Sequence, residues 1–349
     1  MHPPYPLRRR AFGILATLTA ASVAVPVLRA QPRLEKTRVS IAVGGKTAFY
    51  HLPLTVAGQL GYFKAAGLDV EITDFPGGAR ALQALAGGGF DVGSGAYEHT
   101  IALQGKGQMF QSFVLQGRAP QIAVGVSTRA MPGFHELADL RGKRIGVSSP
   151  GSSTNMVVNM ALRRAGLTAA DVNYVGVGTS SGALAALRSG QIEAISNVEP
   201  VMTALEQKGE VKIISDTRTL KGTQEVFGGP MPSGCLYAPL EFVQKNPATC
   251  QALANAIVHA LKWLRTAGPS DIIRTVPESY LLGDRGLYLA AFNKVSEAFS
   301  IDGMMHEEGS RTALKALSAL DPAVRADRIN LARTYTNEFA RKAKDRFKA

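Results

Sequence analysis

Gly178-Thr179-Ser180-Ser181-Gly182 has the most enzyme-like spacing in the chain. It fits G-x-S-x-G, follows the apolar run 172–177 and opens a helix-like run, as a nucleophile elbow does. His259 and His306 lie downstream, in the order a hydrolase requires. No HGGG-type segment precedes it to supply oxyanion donors, and the same five residues make an ordinary Ser/Gly-rich helix start. Gly176, Gly178 and Gly182 depart from the dinucleotide spacing G-x-G-x-x-G. His51, His99 and Glu98 are metal-capable types, yet no two histidines stand four apart and no C-x-x-C occurs. Catalytic residues, metal ligands and cofactors are therefore expected to be none.

A second kind of chemistry is non-covalent. A helix start presents unpaired N–H groups and the positive end of the helix dipole, so it favours anionic or acceptor-bearing groups. Five loops lead into such starts: 46–51 with Lys46, Thr47, Tyr50 and His51; 76–78 with Gly77 and Gly78; 94–98 with Ser94, Tyr97 and Glu98; 150–154 with Ser152, Ser153 and Thr154; and 197–200 with Asn197 and Glu199. Each has a plainer reading. Ser152, Ser153 and Thr154 suit helix capping, Gly77 and Gly78 suit a turn, and the tyrosines suit a core or a stacking surface. If Glu98 and Glu199 line a site, they argue for a ligand with an amine or several donors. If they face solvent, they carry no such meaning.

The elements that position these loops alternate. Residues 37–43 read as a strand, 52–65 as a helix, 68–75 as a strand, then a helix with Leu82, Leu85 and Ala86 on one side, and a strand at 90–93. A second unit repeats this from residue 143: strands at 143–147, 172–177, 194–196 and 211–214, with helices at 154–165, 181–189 and 201–207. A strand at 235–238 follows, and from Ala248 onward the chain reads as mostly helical. Alternation of this kind predicts an α/β fold with two doubly wound parallel sheets. Segments 121–128 and 229–237 are the expected crossings between lobes: lobe one takes 31–124 and 236–349, and lobe two takes 125–235. Two crossings make a hinge, and the cleft beside it is the expected ligand site.

Residues 1–30 are expected to be an export leader, with Arg8, Arg9 and Arg10 before an apolar, uncharged stretch from Ala11 to Leu28. Arg9-Arg10-Ala11-Phe12 fits a twin-arginine signal, and the three adjacent arginines also suit the general secretory route. Cleavage near Ala30 would release a protein into the periplasm. Removing Arg8, Arg9, Arg10 and Arg29 takes the formal charge from +12 to +8. No basic run interleaves with aromatics, so no nucleic-acid partner is expected. Cys235 and Cys250 are the only cysteines, and an oxidising compartment permits them to pair or to stay free.

Several segments, in order, carry a resemblance: Leu54-Thr55-Val56-Ala57, Gly61-Tyr62-Phe63, Gly67-Leu68-Asp69-Val70, Phe75-Pro76-Gly77-Gly78, Gly88-Gly89-Phe90-Asp91-Val92-Gly93, Leu140-Arg141-Gly142-Lys143-Arg144-Ile145-Gly146-Val147 and Gly151-Ser152-Ser153. The chain resembles the sulfonate, nitrate and thiamine-precursor branch of periplasmic solute-binding proteins. That resemblance implies the type II periplasmic-binding-protein fold, with a small-molecule solute held between hinged lobes by the loops named above. It also implies an ABC permease and its ATPase subunit as partners, and a monomer. Fungal members of the group make the thiamine pyrimidine with a cysteine-rich motif, which two isolated cysteines do not supply.

Overall fold

The computed structural model describes residues 1–2 and 33–349. The expected leader lies, apart from Met1 and His2, outside the described residues. In chain order, the first run is β1 (Arg38–Gly44), α1 (Leu52–Gln59), α2 (Tyr62–Ala65), β2 (Asp69–Phe75), α3 (Gly78–Ala86), β3 (Val92–Ala96), α4 (Glu98–Gly105) and β4 (Phe110–Leu115). The second is β5 (Ile122–Ser127), β6 (Arg144–Val147), α5 (Ser153–Arg164), β7 (Asn173–Gly176), α6 (Ser181–Arg188), β8 (Ala194–Val198), α7 (Val201–Gln207), β9 (Val211–Asp216) and α8 (Leu220–Phe227). Then come β10 (Gly234–Pro239), α9 (Leu240–Lys245), α10 (Pro247–Thr266), α11 (Pro269–Thr275), α12 (Arg285–Val295), α13 (Glu307–Leu320) and α14 (Glu338–Phe347).

Two five-stranded sheets share one plan. Sheet one runs β2-β1-β3-β10-β4 and sheet two runs β7-β6-β8-β5-β9. Each is parallel through its first three strands and then takes one reversed strand, β10 or β5, at the fourth position. Val39, Ile41, Ala42 and Val43 are all fully buried, as expected where helices cover both faces of a parallel sheet. Each such aliphatic side chain contributes roughly 1.5–3 kcal/mol by burial.

The chain crosses between sheets after β4 and before β10. Segment 121–128, expected as a crossing, is mostly β5, buried along its whole length. The two crossing segments pair with each other: Gln116 N–H and Gly117 N–H donate to the Gly234 carbonyl, and Ser233 N–H donates to the Gly117 carbonyl. The expected helix 52–65 is broken at Gly61, whose φ of 72° is left-handed and separates α1 from α2. The late helices brace both sheets. Lys294 on α12 reaches Glu206 on α7 at 2.5 Å, and Arg163 on α5 donates to the Ala319 carbonyl on α13 at 2.7 Å. One apolar cluster runs from Tyr97 and Leu115 through Val124 and Ile145 to Ala313 and Ala316. No helix among the described residues is long and apolar enough to cross a membrane.

Candidate functional site

Between the sheets, at the C-terminal ends of β1, β3, β6 and β8, lies a cavity, the place where open α/β sheets hold ligands. Sheet one contributes Gly44, Ala48, Tyr50, His51, Gly78, Ser94, Gly95, Ala96 and His99 to its wall. Across from them stand Ile122, Ser148, Ser152, Ser153, Thr154, Thr179 and Val198. About 40 Å³ inside is open to the centres of water-sized spheres, room for roughly three waters. Among the described residues, no lysine or arginine lines it.

Its polar groups are held in place by neighbours. Ser148 Oγ, Ser152 Oγ and Thr154 Oγ1 form a closed triangle of hydrogen bonds of 2.8–2.9 Å, and Ser148 N–H donates to Thr154 Oγ1. Ser152 Oγ also donates to the Ser149 carbonyl, so the expected capping by this loop does not occur: no side chain caps α5. The same holds at the starts of α3 and α6. The first-turn N–H groups of these three helices are thus not taken by caps.

His51 Nδ1 lies 3.0 Å from Ser94 Oγ, which accepts from Gln116 Nε2 at 2.9 Å. His99 Nδ1 lies 3.4 Å from the Tyr237 hydroxyl, and its Nε2 is buried without a partner among the described residues. Burial holds both imidazoles neutral, pulling each down to about 4. Tyr50 turns its hydroxyl to Ser233 Oγ at 2.8 Å and packs edge-on against His51.

Glu98 opens α4 beside the cavity. Ser153 Oγ, from the opposite sheet, donates to its Oε1 at 2.5 Å. Its Oε2 is buried and unpartnered among the described residues. Burial pushes this carboxyl up to about 7, with the Ser153 bond opposing the shift.

Of the residues expected from sequence, the structure gathers Tyr50, His51, Gly78, Ser94, Ser152, Ser153 and Thr154 around the cavity, with Glu98 bonded to its wall. Gly77 stands at the rim, where an added Cβ would come within 2.6 Å of Ser149 Oγ from the other sheet. Five others go elsewhere. Lys46 is exposed, its backbone N–H tied to Asp74, and Thr47 is half-buried outside the cavity wall. Tyr97 sends its hydroxyl to Thr334 Oγ1 at 2.6 Å, in the C-terminal tail. Asn197 donates to the Gly178 carbonyl at 2.9 Å and so fixes the loop that carries Thr179. Glu199 is neither a solvent group nor part of the cavity wall. It is buried, bonded to Thr203 and paired with Arg218 at 2.7 Å. Arg218 in turn binds Asp216 and Glu206.

Ser148, Thr179 and His99 were not among the expected ligand contacts. Their positions at the end of β6, before α6 and in the first turn of α4 are the signal that could have found them.

Ser180 is exposed at the start of α6. His259 is stacked between Tyr62 and Phe347, His306 is exposed at the start of α13, and neither ring is hydrogen-bonded to Ser180 among the described residues. Cys235 and Cys250 are free and buried, each thiol pushed up to about 12 by burial. No group of three metal-ligating side chains occurs among the described residues.

Comparison with known proteins follows the same lines. A protein of Bordetella bronchiseptica RB50 has a solved structure that superposes with a TM-score of 0.89 at 56% identity, covering 91% of this chain and 100% of that one. A binding protein of Brucella abortus (strain 2308) is 27% identical over 67% of this chain and 70% of its own length. The alkanesulfonate-binding protein SsuA of Xanthomonas axonopodis pv. citri, solved bound to MOPS, shares the fold at a TM-score of 0.66 and 17% identity, over 87% of this chain and 100% of that one. The two-lobed periplasmic-binding-protein architecture and the likeness to the sulfonate and nitrate group stand on these matches. Residues 48–269 match the family model described as NMT1/THI5 like, and the chain belongs to that family.

Proposed function

We propose that this protein is the exported, soluble receptor of an ABC import system, capturing one small, acceptor-rich organic solute between its lobes. The observation that carries the reading is the convergence of the uncapped starts of α3 and α5, one from each sheet, on one cavity, bridged by the Glu98–Ser153 bond. Helix starts and hydroxyls receive acceptor groups without a counter-cation, and the cavity's size suits a molecule of few heavy atoms. Family membership supports the same reading.

The mechanism is closure. In the open form the two walls are apart, and the solute meets one of them first. Closing brings the second wall onto it, and the solute stabilises the closed form by its higher affinity for that form. The closed receptor then docks on a membrane permease driven by a cytoplasmic ATPase, and no bond is made or broken on the receptor. Without a nucleophile–base pair at Ser180, nothing at this site supports hydrolysis.

Native mass spectrometry of the mature protein, followed by thermal shift against small anions, sulfonates and pyrimidines, tests the reading. One-to-one binding that raises the melting temperature is the expected result. Turnover of a generic ester that Ser180→Ala abolishes would overturn it.

A further inference from the structure

Just behind the wall of the cavity lies a carboxyl group that no cation among the described residues balances. Glu98 is 3% exposed. One carboxylate oxygen is held by Ser153, and the other has no partner among the described residues. Its hydrogen-bond partner Ser153 and its chain neighbour His99 both line the cavity. Among the described residues, no cation is at hand. Both histidines are neutral, no lysine or arginine lines the space, and Arg218 is engaged by Glu199, Asp216 and Glu206. A buried carboxylate with an empty lone pair is costly until a donor reaches it. A bare oxyanion would add a second negative charge beside the buried one. An N–H group would supply what is missing.

We propose that the captured solute carries an N–H donor (an amine, amidine or amino-heterocycle nitrogen) and that Glu98 is the carboxylate that receives it. The proposal rests on the reading of this cavity as the capture site. The acceptor end of the solute faces the starts of α3, α5 and α6, and the N–H end faces Glu98, so the molecule is bipolar. His99 Nε2, the other unpartnered group on this wall, stands one residue along and supplies a further polar contact. The groups that face Glu98 are Tyr50, Tyr237, Cys235 and His99. Burial holds the two phenols and the thiol protonated, and the imidazole neutral, across the near-neutral range. Glu98, pushed up to about 7, is the group among them that titrates there.

The test is a calorimetric panel of pairs, each affinity corrected for the ligand's own titration: taurine against ethanesulfonate, acetamidine against acetate, and 4-aminopyrimidine against pyrimidine. Nitrate serves as a bare oxyanion, and native mass spectrometry reads any solute retained from expression. At least one N–H member, or the retained solute, should bind about tenfold or more tightly than its N–H-free counterpart. That affinity should strengthen between about pH 5.5 and about pH 8.5 as Glu98 ionises. Glu98→Gln, of equal size, should remove both the preference and the pH dependence. The wild-type pH profile gives a second readout if the variant folds poorly. If N–H-free anions bind as tightly as their partners, or more tightly as pH falls, the proposal is overturned while the capture reading stands. If the protein retains nothing and binds no member of the panel, both fall.

Discussion

Gly77, at the start of α3, and Ser149, after β6, approach so closely across the cleft that a Cβ on Gly77 would meet Ser149 Oγ at 2.6 Å and Ser149 Cβ at 2.9 Å. The φ of Gly77 is −178°, ordinary extended backbone, so glycine is needed here for space between two walls rather than for conformation. The contact joins the two walls that the proposed closure brings together.

Gly77→Ala should therefore prop the lobes apart without harming either one. Overpacking of this kind costs ~1–3 kcal/mol. Borne by the closed form alone, it should weaken solute binding roughly five- to a hundredfold. Calorimetry measures the loss. Small-angle scattering in saturating solute should show a more open particle, with the melting temperature of the solute-free protein unchanged.

Arg218→Met should be among the most destabilising single changes. It strands Glu199, which is fully buried, and releases Asp216 and Glu206 as well. Breaking one side of a buried pair costs about 3–5 kcal/mol. Urea unfolding should register that loss, and Glu199→Gln added to Arg218→Met should recover much of it by removing the stranded charge.

Acid should destabilise the protein through His51 and His99. In the unfolded chain both rings take up protons below 6.5, whereas in the fold they do so only near 4. The unfolded state thus binds more protons between those values, and stability falls as pH falls through that window, by on the order of 3 kcal/mol per ring. Glu98 opposes this. Its folded carboxyl protonates near 7 and its unfolded one near 4.5, so acidification relieves the cost of burying its charge. Two rings outweigh one carboxyl, and the melting temperature should drop between about pH 6.5 and about pH 4. In Glu98→Gln, where the opposing group is gone, it should drop more steeply.

Neither thiol should react in the native state. Cys235 and Cys250 are fully buried, sit in separate apolar clusters and are held protonated. A thiol-reactive chromogenic disulfide should label neither in buffer and both in guanidinium. Mild oxidation should leave the electrophoretic mobility of the native protein unchanged.

Much of this architecture is legible in the residues. The alternation of Val39, Ile41 and Val43, the glycine turn before α3 and the serine-rich starts of α5 and α6 place β1 and all three uncapped helix starts near their true positions. β4 was not read as a strand. Phe110–Leu115 is buried on both faces and shows no clean two-residue alternation, so periodicity alone could not mark it. Segment 121–128, expected as a crossing, is mostly a strand, and its sheet partners β8 and β9 lie far along the chain. Gly125 is small because Val211 and Met202 pack onto it, and that contact comes from far along the chain. Tyr97 and Glu199 share the loop signature of Tyr50 and Glu98. Their side chains turn away because Thr334 in one case and Arg218 in the other wait behind them, and local sequence does not show such partners.

The reversed fourth strands also set an order of assembly. Sheet two draws all five strands from one uninterrupted stretch, β5 to β9, and has what it needs once that stretch exists. Sheet one does not: β10 inserts between β3 and β4, so those two strands expose unpaired edges until the whole of sheet two has been made. Long-range strand insertion is slow, and open edges invite wrong pairing while they wait. The lobe nearer the N-terminus is thus the last to be completed, and the window between β4 and β10 is when the nascent chain most needs protection from its neighbours.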